Sequence, residues 1–526
     1  MNYSTVNIVD LCDDILLVIL NKLNNIDVLY SLIGVNRKLD RLAQDITFTQ
    51  SIDLVEISSN EENNSKKKSI LDGFCIDIIP RIQHNIESLT LDPLLIDRVL
   101  YIGNYSNLHK LTLVNLQLEV ASRIFNDGSS FIHIFKHKIL HLTLTIKDGN
   151  TARYIRKLST NVFTTILKMF TNLTHLDFCL TDICSYPPSS FINLVPTTSY
   201  PSNIIHLNVR VYNFDDCLYL IDGRLSQLQR FIVEVDDIYT TSMTINNMRI
   251  VSNLKCFSLT SFGETTDYDN EIVPLLRQMS QLEKLTLSLI VHGRTSFIDG
   301  NHLVNHILNK MSFLRTFIFN IITEIFTPAE EFLPTADDVG HALIQRGYNV
   351  NCSIDYTTFN IGQCHIYSLP FTMDRIDIHS SKFPGGLFMT VRHLVARDLY
   401  RPFEYDFFIR ISQAFPLLNK LVIVNNNEQE KKLTNQQIYS IIEFSHLMIL
   451  DISRCDIDYG KQFLFDFNTR LPCLNTLHIK YIDLEIVTGY FTNNDARTNC
   501  SKLQHIIFDL PPKTYTENFY SYFPLL

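Results

Sequence analysis

Apolar residues recur along most of this chain in a short pattern, L-x-x-L-x-L, in which other aliphatic residues or Phe can replace Leu. Apolar and mostly polar positions alternate in its second half, which is the period of a half-buried β-strand. Most steps between copies are between 22 and 34 residues. Copies begin at Ile86, Leu108, Ile139, Leu173, Ile204, Leu228, Leu254, Leu282, Leu314, Met373, Val391, Leu418, Leu447, Leu474 and Leu503.

Helix-forming stretches such as 271–279 and 301–311 separate these strands. One strand and one helix cannot bury a core alone, so such units stack with their strands in parallel. Pattern and period are typical of leucine-rich repeats, and the copy at Leu447 continues the motif through Cys455 and Ile457. We therefore predict an α/β fold, a leucine-rich-repeat solenoid over 48–526, shaped as a horseshoe with parallel strands on its concave face. Leu450 and Ile452 are predicted to be fully buried.

Three stretches depart from the rhythm. Residues 58–69 are polar and low in complexity, which predicts a disordered loop. In 320–372 the register is irregular, and a further copy could begin at Ile366. Residues 515–526 are aromatic, and we expect them to cap the last repeat, which would otherwise expose its core.

The N-terminal segment, residues 7–47, has helical rather than strand periodicity. Asp13 or Asp14 can cap a first helix and Asp27 a second, and Asn36 to Gln44 predict a third. Helices this short cannot bury all their aliphatic residues among themselves. The surplus must face either the rest of the chain or a partner.

This segment resembles an F-box. The residues that match the motif are Leu11, Asp13, Asp14, Ile15, Leu16, Ile19, Leu20, Leu23, Asp27, Val28, Leu29, Val35, Arg37, Lys38, Leu42 and Ala43. Cys12 stands where the family usually has Pro, Asn36 where it has Cys, and Leu39 where it has Trp. In the family, the segment around that Pro contacts the Skp adaptor.

The resemblance implies a strip of apolar side chains that is exposed in the free chain and buried on the adaptor. We assign it to Leu11, Cys12, Ile15, Leu16, Ile19 and Leu20, with Leu29 and Leu32 supporting it. We also expect these helices to make few contacts with the repeats.

Composition narrows the class of protein. The 526 residues carry a formal net charge of -10, which argues against nucleic acid as a partner. The 11 Cys are scattered without a CxxC pair, as expected of buried thiols in a reducing compartment. No uncharged run approaches the roughly 20 residues that span a bilayer, and acidic residues precede the first apolar run. We expect a cytoplasmic or nuclear protein with no membrane partner.

The sequence contains few candidate catalytic or metal-binding residues. The sequence has no Walker loop, GxGxxG, GxSxG or HExxH motif. His302 and His306 are four apart, as are His133, His137 and His141, but neither set has the ligands of a typical zinc site. Asp pairs such as 215–216 and 236–237 suit loops better than acid–base catalysis. We expect no catalytic site, no metal and no cofactor.

One position of the repeat is often cationic or histidine. It immediately precedes the second Leu and should lie on the concave face, because side chains alternate along a strand. Its occupants include Lys110, His141, His175, His206, Arg230, Lys284, Arg375, His393, Lys420 and His505. We predict that His175, His206, Arg230, Lys284 and Arg375 bind an acidic or phosphorylated target peptide; the alternative is ordinary polar composition at this position.

An F-box followed by leucine-rich repeats resembles the substrate-recognition subunits of SCF (Skp–cullin–F-box) ubiquitin ligases. The long chain with degenerate repeats also looks like members of the expanded F-box sets of some invertebrates. The resemblance implies that the N-terminal helices bind the Skp adaptor of a cullin ligase complex and that the repeats bind a target protein. The alternative is an interaction scaffold without a ligase role, in which the N-terminal helices only cap the solenoid.

Overall fold

The computed structural model of the chain is a mixed α/β protein in which most strands are parallel. It describes residues 8–55, 70–100, 103–146, 154–180, 187–188, 203–243, 245, 253–327, 333–430, 441–512 and 514–526. These residues form two compact units. The first comprises the chain up to Gly263 with 267–285 and 311–316, and the second comprises 264–266, 286–310 and 317–526. The predicted loop 58–69 lies outside the described residues.

The first unit begins with short helices. After a single turn at Ile8–Asp10 come α1 (Asp13–Leu20), α2 (Asn25–Leu32), α3 (Arg37–Ala43) and α4 (Ile46–Thr49). Side-chain oxygens of Asn24, Asn36 and Asp45 accept backbone N–H groups at the starts of α2, α3 and α4. Such caps satisfy donors that have no partner within the helix, which is why each helix begins where it does.

Parallel strands follow one another in chain order. They are β1 (Ser51–Asp53), β2 (Ser88–Leu91), β3 (Lys110–Leu116), β4 (His141–Ile146), β5 (His175–Leu180), β6 (His206–Asn213), β7 (Arg230–Asp237) and β8 (Cys256–Thr265). Each pairs in parallel with the next. The helical segments between them are Phe74–Ile78 with Ile79–Ile82, Pro93–Leu95 with Ile96–Leu100, Leu118–Ile124, Ser130–Phe135, Tyr154–Met169 and Phe214–Ile221. After β8 come Tyr268–Ile272 and Val273–Gln278.

The predicted strand positions are confirmed. A strand begins two residues after the start of each of the fifteen copies, from Ile86 (β2 at Ser88) to Leu503 (β20 at His505). Burial alternates as expected: in β4, for example, Leu142, Leu144 and Ile146 are buried and the residues between them half-buried. Each buried Leu or Ile contributes roughly 1.5–3 kcal/mol, so the register is strongly fixed.

An asparagine ladder links successive strands in the first unit. The residue before the first Leu of several copies is Asn, and its side-chain Nδ2 donates to the carbonyl oxygen of the residue two positions before the start of the preceding copy. Asn107 donates to His84 at 2.6 Å, Asn172 to His137 at 2.7 Å, Asn203 to Thr171 at 3.0 Å and Asn253 to Ser226 at 3.0 Å. These bonds satisfy loop carbonyls that the sheet leaves unpaired.

In the second unit an antiparallel hairpin interrupts the parallel pattern. The strands β9 (Lys284–Arg294) and β10 (Thr316–Phe326) have their first residues in the first unit and the rest in the second. β10 pairs antiparallel with β12 (Ile361–Ser368), and β12 pairs antiparallel with β11 (Val350–Tyr356). The expectation of parallel strands throughout is wrong here. Ile366 does not begin a further copy, because it lies inside the antiparallel strand β12.

The parallel pattern resumes after the hairpin. A six-stranded sheet contains β13 (Arg375–Ile378), β14 (His393–Arg397), β15 (Lys420–Asn425), β17 (Ile449–Cys455), β19 (Thr476–His478) and β20 (His505–Ile507), all paired in parallel. A separate parallel pair joins β16 (Ile442–Glu443) to β18 (Thr469–Arg470). Leu450 and Ile452 of β17 are buried, as predicted. Helices of this unit are Gly300–His306, Leu308–Lys310, Ala336–Gln345, Tyr405–Ala414, Ile457–Leu464, Tyr481–Val487, Arg497–Cys500 and Glu517–Tyr522.

The C-terminal segment packs as an aromatic cluster. Phe519, Tyr522 and Phe523 are buried, and the rings of Phe519 and Phe523 lie against that of Phe491. The Tyr522 hydroxyl donates to the carbonyl of Asn493 at 2.6 Å. The last helix therefore covers apolar side chains of the residues that precede it.

Candidate functional site

The N-terminal helices are fastened by the ammonium group of Lys38. It donates to the carbonyls of Val9, at 2.9 Å, and Leu11, at 2.5 Å. The carboxylate of Asp13, in the first turn of α1, forms an ion pair with Arg41 and lies 3.6 Å from the Lys38 ammonium. These contacts hold α3 beside the start of α1, so the orientation of α1 is defined.

An apolar strip lies along the exposed side of α1 and continues to Leu23, just past the end of the helix. Ile15 is 49% exposed, Val18 63%, Ile19 41% and Leu23 53%. Of the predicted strip, Cys12 is exposed and Leu11 is half-buried. We call Ile15, Val18, Ile19 and Leu23 the α1 strip; Val18 and Leu23 were not in the predicted set.

Three residues assigned to the strip or to its support are buried. Leu16, Leu20 and Leu29 are buried, and Leu32 is half-buried. The reason is helical periodicity: Leu16 and Leu20 are four apart and share the inner face of α1, while Ile15 and Ile19 share the outer one. The expectation that Leu16 and Leu20 are exposed in the free chain is wrong, and they belong to the core beneath the strip.

The expectation of few contacts between these helices and the repeats is also wrong. Helix α2 packs against β1 and the helical turn Phe74–Ile78, and α4 packs against β1. Asp40 lies 3.5 Å from Arg81, and the Asn85 side chain donates to the Thr49 hydroxyl at 3.2 Å. The buried face of the N-terminal helices is therefore continuous with the first strands of the sheet.

The basic position of the repeat forms a continuous row in the first unit. Lys110 is paired with His141, His141 with His175, His175 with His206, and His206 with Arg230, in direct register across β3 to β7. Lys110 and Arg230 are exposed and the three histidines are half-buried. We call these five residues the basic column. The strand face that carries them is the open face of the first unit.

The histidines of the column stack on one another. The ring centroids of His141 and His175 are 4.1 Å apart with an interplanar angle of 8°. Those of His175 and His206 are 5.6 Å apart at 24°. Neighbouring strands lie about 4.8 Å apart, so side chains in register are held at stacking distance by the sheet itself.

Hydrogen bonds fix the proton on one of these rings. The Thr174 hydroxyl donates to the Leu140 carbonyl at 2.9 Å, so it must accept from Nδ1 of His175, 3.0 Å away. Neutral His175 therefore carries its proton on Nδ1 and a free lone pair on Nε2. The Asp177 carboxylate is engaged by Nε2 of His206 at 3.1 Å and by the Thr143 hydroxyl at 3.4 Å.

The environment keeps two of the rings neutral. Burial, and then the nearby His109 and Lys110, lower the pKa of His141. Burial, and then His141 and His206, lower the pKa of His175. Near neutral pH the column thus has fixed positive charge at its two ends, on Lys110 and Arg230, and neutral imidazoles at His141 and His175.

The remaining predicted target-binding residues are placed differently. Lys284 begins β9 and donates its backbone N–H to Lys255, the same connection that Arg230 makes to Ile205. Arg375 lies in the second unit. There it begins a second row, in register with His393 and Lys420, which continues through Ile449, Thr476 and His505. The second row is basic only at Arg375, His393, Lys420 and His505.

A buried polar cluster in the second unit was not predicted. Asp355 is almost fully buried and forms ion pairs with Arg401 and with Lys382, whose ammonium lies 3.0 Å away. The Ser380 hydroxyl donates to the same carboxylate at 2.5 Å. Although burial raises it, the pKa of Asp355 is held below its usual value by Ser380, Lys382 and Arg401. No local motif signals this cluster, because its members come from separate elements.

Two buried histidines lie next to this cluster. Burial lowers the pKa of His365 to about 3, and burial also lowers the pKa of His379. Nε2 of His379 and Oε1 of Gln363 are buried without a hydrogen-bond partner. Both side chains line a cavity of about 30 Å³ beside Asp355. That volume is comparable to one water molecule and far below that of a small-molecule site, which is about 300–1,000 Å³.

The histidine pairs noted in the sequence do not converge on a metal-binding arrangement. His133 is in the helix Ser130–Phe135 and His141 is in β4, whereas the rings of His302 and His306 lie 4.4 Å apart on one helix. Within the described ranges, no three His, Cys, Asp or Glu side chains are close enough to hold a metal ion. The ten cysteines in those ranges are free thiols.

No family model matches the chain, and no curated protein matches it. Within the part of the chain that the structure describes, no helix has the length and apolar character needed to cross a membrane.

Proposed function

We propose that this chain is the substrate-recognition subunit of an SCF-type ubiquitin ligase. In this proposal the N-terminal helices are an F-box that binds the Skp adaptor, and the repeats are a leucine-rich-repeat solenoid that binds a target protein. Ubiquitin transfer is carried out by other subunits of the cullin ligase complex. The observation that carries the proposal is the α1 strip.

The α1 strip is a surface that favours burial. Its four aliphatic side chains are each about half exposed, and exposed Cys12 immediately precedes the helix. Fully burying one such side chain contributes roughly 1.5–3 kcal/mol, so a partner that covers the strip gains several kcal/mol. Clusters of exposed apolar residues on a protein surface commonly mark binding sites.

The alternative, an N-terminal cap without adaptor binding, requires the solenoid to cover α1. Helices α2 and α4 do pack on β1, as a cap would. However, Ile15 and Ile19 remain about half exposed, so the outer face of α1 is available in the free chain. This exposure favours the receptor over the scaffold, since a cap gains nothing from an uncovered apolar face.

Titration of purified full-length chain with a purified Skp adaptor tests the proposal. The double variant Ile15→Asp/Ile19→Asp should bind at least a hundredfold more weakly, because two charges would be desolvated in the interface. Ile76→Asp is the matched control: Ile76 is 68% exposed in the first unit but outside the α1 strip, so adaptor affinity should be unchanged.

Circular dichroism melting of the three proteins serves as the folding control, since all substituted side chains are exposed. Binding of the double variant at parental affinity removes the adaptor assignment. No binding by the parent chain removes it as well and leaves the scaffold alternative.

A further inference from the structure

We propose that the basic column binds an acidic segment of a target protein, and that His141 and His175 take up a proton between them when this segment binds. The inference rests on the proposed function only in calling the bound protein a target. The site itself is defined by β3 to β7 of the first unit.

The column is built as one surface. Its five side chains come from five successive strands in direct register, so they share the open face and follow one another at strand spacing. Four intervals of about 4.8 Å give a row of roughly 19 Å, which an extended segment of about six residues would cover. The occupant is thus a short stretch of chain.

The charges of the basic column favour an acidic segment over a basic one. Lys110 and Arg230, the two ends of the row, are exposed cations. Among the described residues, the carboxylate that faces the histidines is that of Asp177, and it is already engaged by His206 and by Thr143. An incoming row of carboxylates meets two cations and one occupied anion, whereas a basic segment would meet repulsion at both ends.

His141 and His175, in the middle of the column, can each become positively charged by gaining a proton. Nε2 of His175 has a free lone pair because Nδ1 donates to Thr174. Among the described residues no hydrogen bond reaches either ring nitrogen of His141. Both rings can therefore gain a proton without breaking an existing bond. A proton on either ring turns a lone pair into an N–H donor aimed at the bound carboxylate.

The groups facing these rings set the direction of the pH dependence. They are His109 and Lys110 from β3 and its preceding residue, Asp177 from β5 and His206 from β6. Burial and the basic neighbours oppose protonation in the free chain, and among the described residues Asp177 favours it. A bound acidic segment adds negative charge and reverses that balance. Affinity should therefore rise as pH falls through the range in which the rings are protonated in the complex but still neutral in the free chain.

Because the rings stack at 4.1 Å, a second proton would meet the first at close range. We therefore expect uptake of about one proton rather than two, and coupled titration of the pair. One proton corresponds to at most tenfold in affinity for each pH unit.

The test uses the full chain and a fluorescein-labelled peptide of six Glu residues flanked by Gly and Ser, with a Gln version as the uncharged control. Fluorescence anisotropy at constant ionic strength should show roughly tenfold tighter binding of the Glu peptide at pH 5.5 than at pH 7.5. Calorimetry in two buffers of different ionisation enthalpy should show net proton uptake near pH 6.5.

Two variants locate the effect. His141→Gln/His175→Gln keeps polar side chains but cannot gain a proton, so binding should lose its pH dependence. Lys110→Glu/Arg230→Glu should abolish binding at both pH values. His505→Gln, the first residue of β20 in the second unit, is the matched control and should behave as the parent.

Several outcomes overturn the inference. These are no binding of the Glu peptide at either pH, equal binding of the Gln peptide, and an unchanged pH dependence in the histidine double variant. Binding of a phosphoserine version without binding of the Glu version overturns the assignment to carboxylates. Adaptor titration does not involve the column, so failure of the peptide experiment with intact adaptor binding leaves the proposed function standing.

Discussion

Nε2 of His365 and Oδ1 of Asn320 lie 2.6 Å apart between the antiparallel strands β12 and β10, with both side chains buried. Nδ2 of Asn320 donates to the Ser288 hydroxyl at 3.2 Å, so its oxygen faces the imidazole and accepts from it. The ring is thus held in a neutral form that uses its proton for an internal hydrogen bond. Burial lowers its pKa to about 3.

This relationship predicts loss of stability in acid. The unfolded chain protonates this histidine near pH 6.5, whereas the folded chain resists protonation down to about pH 3. Below pH 6.5 the unfolded state binds more protons, so the free energy of unfolding falls as pH falls through this window. From His365 alone the loss at pH 5 is about 2 kcal/mol. Buried His379 acts in the same direction.

Denaturant titrations of the parent and of His365→Gln at pH 7.5 and pH 5 measure this effect. The variant should lose less stability than the parent between the two values, because Gln can donate to Asn320 without titrating. His133→Gln, a substitution outside the second unit, should retain the parental pH dependence. Equal losses in parent and His365→Gln would contradict the prediction.

Leu450 tests the register of the repeat. It is fully buried in β17, so Leu450→Asp places an unpaired charge in the core of the second unit. We expect a loss of several kcal/mol in the free energy of unfolding. Met448→Asp, two residues earlier at a site 39% exposed, should cost less than about 1 kcal/mol. Thermal melting compares the two, and similar melting temperatures would show that the register is wrong.

The asparagine ladder predicts a smaller and localised effect. Asn172→Ala removes the hydrogen bond from Nδ2 to the His137 carbonyl, 2.7 Å away, and leaves that carbonyl to water or unpaired. The expected cost is about 1 kcal/mol. Asn161→Ala, on an exposed position of the helix Tyr154–Met169, should not destabilise, since Ala favours a helix more than Asn does. Amide hydrogen exchange around β4 and β5 would detect the local loosening.

Cys12 allows a test by substitution toward the motif that the N-terminus resembles. Its backbone φ is -65° and ψ is 157°, values that proline adopts without strain. Cys12→Pro should raise the free energy of unfolding by about 0.4–1 kcal/mol, because it restricts the unfolded chain ahead of α1.

If the N-terminal helices bind a Skp adaptor, the same substitution should also tighten that binding. Cys12→Ala is the control, since it removes the thiol without fixing the backbone. Identical stability and adaptor affinity for the Pro and Ala variants would show that backbone restriction at this position has no effect.

The strand positions could be predicted from the sequence because the alternation of apolar and polar residues is a local signal. In every copy of L-x-x-L-x-L the second and third apolar residues must point to one face, so a shift by one residue would expose them all. Which side of α1 faces outward was harder to predict from the sequence, because Ile15, Leu16, Ile19 and Leu20 are all aliphatic. Their division into inner and outer pairs depends on what packs beneath the helix.

The polar cluster around Asp355 could not be predicted from the sequence, for a different reason. Arg401 is 46 residues from Asp355 along the chain, and the segment between them includes the antiparallel strand β12. No periodicity predicts that a carboxylate and a guanidinium so far apart will meet in a buried place. The basic column could be predicted because each of its members occupies the same position in its own repeat.

That shared position gives the open face of the first unit an unusual kind of modularity. The segments that connect β3 to β7 differ in length, yet each strand delivers one column side chain in register with the next. Residues can therefore be added to or removed from a connecting segment without shifting the column. Changing the column itself takes a single codon per strand. Such a surface can acquire a new binding preference in steps of one residue while the packing beneath it stays the same.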